Sequence, residues 1–190
     1  MNTYHSLTDS NIARLLQSGA VGVLPTDTVY GLVCRAADTE AVARLYQLKH
    51  REHKPGTIIA ASIEQLVDLG IKARYLKAVE QFWPGGVSVE IPHNLEYLHQ
   101  GTGRQAMRIP EGAMLQELLR AVGPLQTTSA NSPGEPVANT INEAQAYFGD
   151  QVDFYVDGGN LADAKPSTII RIVDDAIEVV RQGSVIINES

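Results

Sequence analysis

The sequence predicts an α/β domain of three layers, a mixed β-sheet with helices on both faces. Two patterns point to it. Apolar runs of strand length alternate with segments of helical period through the early chain. Strand-like runs then cluster near the C-terminal end, which favours a mixed sheet over a purely parallel one. At 190 residues the chain is expected to form one domain over residues 1–190.

Residues 5–20, HSLTDSNIARLLQSGA, read as a short helix. Thr8, Asp9 and Ser10 are candidate caps, Ile12, Leu15 and Leu16 make one face, and Gly19 stops it. AVGVLP (20–25) is a buried strand, and TDTVYGL (26–32) is a loop. In DTEAVARLYQLK (38–49), Ala41, Val42, Leu45 and Leu48 recur at helical spacing behind a cap at Asp38 or Thr39. GTIIAA (56–61) is a strand, and Ser62 with Gln65 matches a capping box opening the next helix. ARYLKAVEQFW (73–83) is helical up to Pro84. VSVEIP (87–92) and QAMRIP (105–110) are strands closed by proline, and AMLQELLRAVG (113–123) is a helix ended by Gly123. LQTTSAN (125–131) is a strand running into a polar loop, and INEAQAYFG (141–149) is a helix. VDFYVDGG (152–159), STIIRIV (167–173) and AIEVVRQG (176–183) are late strands, the last two forming a hairpin around Asp174 and Asp175.

The totals narrow the function. A formal net charge of -7 argues against a protein whose main business is gripping polyanions, so any RNA contact needs a local basic patch. With 44% hydrophobic residues the chain has material for a core. Cys34 is the only cysteine, which rules out an internal disulfide and a cysteine zinc cage and suits a reducing compartment. The N-terminus lacks the basic-then-apolar order of a signal peptide, and no stretch reaches the ~18 apolar residues of a membrane span. A soluble, cytoplasmic protein is expected.

Common catalytic motifs are missing: there is no G-x-x-x-x-G-K-[ST], G-x-S-x-G or H-E-x-x-H. GTGRQA (101–106) imitates a dinucleotide fingerprint but precedes a strand rather than a helix. His50 and His53 have the spacing of metal ligands, yet Lys49, Arg51 and Lys54 between and around them repel a cation. That basic run, LKHREHKP (48–55), has two readings. Cations past a helix C-terminus stabilise the macrodipole by about 0.3–1 kcal/mol each. Alternatively, Pro55 and the strand behind it hold the run at a sheet end, where α/β folds bind ligands.

PTDTVYG (25–31) and TTSANSPG (127–134) offer hydroxyls, the Asp27 carboxylate and an amide at the ends of two further strands. Ser129 and Asn131 are two apart and point the same way if extended. KPSTIIRI adds Ser167 and Thr168. Arg108 and Arg181 are charged residues in apolar strands, each implying either a bound anion or an internal salt bridge. The inventory suits positioning and charge neutralisation, as phosphate chemistry requires, rather than covalent catalysis.

PTDTVYGL, LKHREHKP, WPGGVSVEIP, AMRIP, TTSANSPG, KPSTIIRI and VVRQGSV stand in the order found in the YrdC-like threonylcarbamoyl-AMP synthases, and the chain resembles that family from about residue 20 to 185. The resemblance implies the YrdC-type fold, a twisted mixed sheet with a large concave basic groove, in its single-domain bacterial form. It implies a nucleotidyltransferase reaction joining L-threonine, bicarbonate or CO2, and ATP into L-threonylcarbamoyladenylate and pyrophosphate, with Mg2+ accompanying the nucleotide. It further implies a role in t6A modification of tRNA, with transfer proteins as partners and at most weak tRNA contact.

Carried over by position, Lys49 and Arg51 are the catalytic pair. Lys49, Arg51, Lys54, Ser129, Asn131 and Arg181 bind ATP, and Thr28, Arg108 and Ser167 bind threonine, Arg108 through its carboxylate. No protein side chain is expected to hold a metal. The chain departs from the family pattern at Glu52, Gly56, Ile59, Gly86 and Arg104. A non-catalytic module for double-stranded RNA or ribosome assembly is the rival reading, against which the net charge weighs.

Overall fold

The computed structural model describes residues 2–50, 52–174 and 176–187. Among these residues ten strands form one open sheet. In chain order they are β1 (Asn2–Tyr4), β2 (Gly22–Pro25), β3 (Tyr30–Arg35), β4 (Thr57–Ile59), β5 (Val87–Pro92), β6 (Arg104–Arg108), β7 (Leu125–Ser129), β8 (Phe154–Val156), β9 (Thr168–Val173) and β10 (Ala176–Arg181). Their spatial order is β1-β8-β2-β3-β7-β4-β6-β5-β9-β10. The sheet is mixed: β1/β8, β2/β8, β4/β6 and β5/β9 are parallel, and the remaining pairs are antiparallel.

Seven α-helices pack on it: α1 (Ser10–Gln17), α2 (Thr39–Leu48), α3 (Ile63–Leu69), α4 (Ala73–Lys77), α5 (Glu96–His99), α6 (Ala113–Val122) and α7 (Ile141–Phe148), counted among the described residues. Capping follows side-chain chemistry. Asp9 accepts from Asn11 N at the start of α1, Asp38 from Glu40 N and Ala41 N at α2, and Ser62 from Gln65 N at α3. Gln65 reaches back to Ala61 N, one residue before the expected cap.

Two cores lie on opposite faces. Helices α2, α3, α4, α5 and α7 bury Val42, Leu45, Leu66, Leu76, Leu98 and Phe148 against one face. Helices α1 and α6 bury Ile12, Leu16, Leu115 and Leu119 against the other, over Leu24, Val33, Ile59 and Leu125. The second pair of helices covers only part of its face. The pairings Thr127–Thr57, Thr57–Ala106 and Ala106–Glu90 continue the same face beyond that cover. These four residues line one hollow.

Several sequence expectations are corrected. Residues 30–32 begin strand β3 rather than ending a loop. Gly31 pairs with Ser129, and its lack of a side chain admits the Thr127 hydroxyl, which would lie 2.6 Å from a Cβ there. The helix expected over 73–83 stops at Lys77 and resumes as a 3-10 turn at Glu80–Phe82. β1 and α5 carry no sequence signal strong enough to have been read. β9 and β10 do pair antiparallel; Asp175, in their expected turn, lies outside the described residues. No helix among the described residues is long and apolar enough to cross a membrane.

Candidate active site

The loop 26–29 is tied by Thr26. Its hydroxyl accepts from Thr28 N and Val29 N at 3.2 Å and donates to Val29 O at 2.7 Å. The turn thus satisfies its own backbone and fixes Thr28, which is buried at the hollow's wall. Beside it, Arg108 leaves β6 and is only 3% exposed. Its Nη1 donates to Asp27 Oδ1, and Asp27 Oδ2 accepts from Glu111 N at 3.2 Å. The expected alternative of an internal salt bridge is therefore present. It does not fill the guanidinium: Nε is buried and has no hydrogen-bond partner among the described residues.

Ser167 and Arg181 meet on the other side. Ser88 donates from its hydroxyl to Ser167 Oγ at 2.9 Å, and Arg181 Nη2 donates to Ser167 O at 2.7 Å. Thr28, Arg108, Ser167, Arg181 and Ser129, drawn from five separate segments, all line the one hollow.

Lys49 caps the C-terminus of α2 and is 2% exposed. Its Nζ donates to Ser129 O at 2.8 Å, Asn131 O at 2.5 Å and Asn131 Oδ1 at 2.8 Å. Ser129 Oγ donates to the same Asn131 Oδ1 at 2.7 Å. Lysine, serine and asparagine thus form one knot at the rim. A second depression opens beyond it, lined by Lys49, His50, Glu52, Lys54 and Asn131. His50 and His53 both adopt left-handed backbone (φ 45° and 53°), so the basic loop is strained. Gln100 braces it, taking His53 Nδ1 on its carbonyl at 2.9 Å and accepting from Lys54 N through Oε1 at 3.1 Å. Arg51 lies outside the described residues.

Three participants were not assigned from the sequence. In the sequence Asp27 stands only as a loop carboxylate. Ser88 and Glu90 share the hollow's face because V-S-V-E alternates, a signal that was legible in the strand pattern. Glu90 lines the hollow and is held by Arg171 Nε at 2.7 Å. The departures at Glu52 and Gly86 also have places. Glu52 lines the second depression. Gly86 makes room for the C-terminal segment, since a Cβ there would lie 2.5 Å from Ser184 Oγ.

Burial and polarity divide the titrating groups. The Cys34 thiol is buried and pushed up, which leaves it an inert core residue. Tyr30 is raised by burial; its hydroxyl donates to Gly159 O at 2.9 Å and accepts from Gly158 N at 2.8 Å, a brace behind the hollow.

Known proteins resemble this chain along most of its length. The family model of the Sua5, YciO and YrdC proteins, described as telomere recombination, matches residues 14–183. The threonylcarbamoyl-AMP synthase of Pseudomonas syringae pv. syringae is 35% identical over 177 residues, which are 90% of this chain and 95% of that one. The threonylcarbamoyl-AMP synthase of Stutzerimonas stutzeri is 34% identical over 165 residues, 83% of this chain and 89% of that one. Among solved structures, P. abyssi Sua5 complexed with L-threonine matches 96% of this chain at 25% identity and a TM-score of 0.82; this chain spans 57% of that one. E. coli YciO matches with a TM-score of 0.79 at 25% identity, over 96% of this chain and 94% of that one.

Proposed function

Because the chain belongs to the Sua5/YciO/YrdC family, we propose that it is an L-threonylcarbamoyladenylate synthase, a nucleotidyltransferase acting on L-threonine, bicarbonate or CO2, and ATP. The observation that carries this reading is Arg108. A buried guanidinium at the wall of a hydroxyl-lined hollow, whose internal partners leave its Nε without an acceptor, is suited to a small carboxylate.

Arg108 takes the threonine carboxylate, with Thr28 and Ser167 beside it. The amine takes up CO2 and releases a proton, giving a carbamate. A carbamate oxygen attacks the α-phosphorus of ATP, the bond from that phosphorus to the bridging oxygen breaks, and pyrophosphate leaves. Arg181, Lys54 and Arg51 balance the phosphate charge. Lys49 holds Ser129 and Asn131 in place and adds its own charge at the junction of the two depressions. Among the described residues no three His, Cys, Asp or Glu side chains group as a metal site. Mg2+ would accompany the nucleotide and offset part of its phosphate charge. The product supplies the t6A modification of tRNA through transfer proteins in the cytoplasm.

The test is pyrophosphate release with ATP, bicarbonate and each amino acid in turn. Threonine-dependent release is expected. Tight binding of double-stranded RNA at physiological salt without turnover would overturn the reading in favour of an RNA-binding module.

A further inference from the structure

Arg108 and Asp27 are 81 residues apart in the chain and form an ion pair in which the side chains are 3% and 9% exposed. The pair is asymmetric in its surroundings. Asp27 lines a neighbouring apolar pocket with Leu7, Met114 and Leu161, whereas Arg108 lines the main hollow. Asp27 therefore grips the guanidinium from behind. Its second oxygen is tied to the backbone of Glu111, so the carboxylate is fixed at both ends.

We infer that Asp27 is a positioning residue of the amino-acid subsite: it holds Nη1 of Arg108 so that the rest of the guanidinium is turned to the substrate carboxylate. This rests on the assignment of Arg108 as the carboxylate clamp. Three chain segments meet in the contact, namely the 26–29 loop, the end of β6 and the turn at Glu111. Thr28 is the residue next to Asp27, and its hydroxyl is held by the Thr26 hydroxyl at 3.1 Å. A buried guanidinium deprived of its counter-ion turns toward whatever acceptor or water it can reach, and the orientation at the hollow is lost. Asparagine does not replace the carboxylate. Its one acceptor oxygen serves either Arg108 or Glu111 N, and its amide nitrogen then faces a donor.

The experiment is steady-state pyrophosphate release by the full chain, varying threonine and ATP separately, for Asp27→Asn, Arg108→Gln and the double variant. D27N is expected to raise the threonine KM about tenfold or more while leaving the ATP KM within about twofold. R108Q is expected to raise the threonine KM at least as much. In the R108Q background, adding D27N is expected to change nothing further, because Asp27 acts through Arg108. The double variant, with both charges removed, is expected to melt higher than D27N alone. If D27N does not fold, Asp27→Glu carries the same test, since it keeps the charge but moves it by one methylene; it is expected to raise the threonine KM with Arg108 present and to leave it unchanged in the R108Q background. An unchanged threonine KM in D27N, or effects that multiply in the double variant, overturns the role of Asp27 alone. An unchanged threonine KM in R108Q overturns the clamp, and the Asp27 role with it.

Discussion

Lys49 Nζ and Asn131 Oδ1 lie 2.8 Å apart although 82 residues separate them in the chain. That contact joins the end of α2 to the loop after β7, and it gives a lysine expected to meet phosphate a prior structural duty.

Lys49→Met tests that duty. It leaves two carbonyl oxygens and the Asn131 amide oxygen without their ammonium donor. Loss of buried charged hydrogen bonds of this kind costs about 2–4 kcal/mol. Urea denaturation is expected to show that loss, and the ATP KM is expected to rise more than the threonine KM. A wild-type denaturation midpoint would refute the knot as a stabilising feature.

Ser167→Ala separates binding from architecture on the opposite wall. It removes the acceptor of the Ser88 hydroxyl but leaves the carbonyl that receives Arg181. About 1 kcal/mol of stability is expected to go, together with a several-fold rise in threonine KM. An ATP KM that rises instead would move Ser167 to the nucleotide side.

Gly56→Ala probes a close approach between backbones. A Cβ at Gly56 would lie 2.2 Å from Thr127 O and 2.4 Å from Gln126 Nε2, while Gly56 O already accepts from Gln105 Nε2 at 3.1 Å. Overpacking at such a site costs about 1–3 kcal/mol. The variant is expected to melt several degrees lower; a melting temperature equal to wild type would show that the sheet end yields freely.

His93 makes stability depend on pH. Burial first, and the neighbouring His99 second, lower its pKa to about 4. Its Nε2 is buried without a partner among the described residues, and its Nδ1 accepts from Leu95 N at 3.2 Å. The unfolded chain takes up a proton near pH 6.5 and the folded chain does not until about 4. The unfolded state therefore binds more protons in this window, and stability falls as pH drops through it, by at most about 3 kcal/mol from this group. Chemical denaturation at pH 7.5, 5.5 and 4.5 is expected to show a steeper loss in the wild type than in His93→Gln. Equal slopes would remove His93 as the cause.

Local chemistry made much of the fold legible. Asp9, Asp38 and Ser62 cap helices as side-chain chemistry demands, and the alternation in VSVEIP places Val87, Val89 and Ile91 in the core. Strand β3 was hidden because its entry carries threonine, aspartate and glycine, residues that favour turns until a partner strand needs the space above Gly31. In the site, the order of motifs marked Thr28, Arg108, Ser167, Arg181 and Ser129, which do share one hollow. It did not show that Asp27 would stand behind Arg108, or that Lys49 would be tied to Ser129 and Asn131.

The amino-acid order by itself determined the alternation of helix and strand, the caps, and which short segments carry polar chemistry, because those preferences act within a few residues of backbone. Only the tertiary structure decided that two helices would cover part of one sheet face and leave the rest open, and which acid would neutralise Arg108. Strand neighbours and buried counter-ions are chosen by packing between segments far apart in the chain, where no local preference reaches.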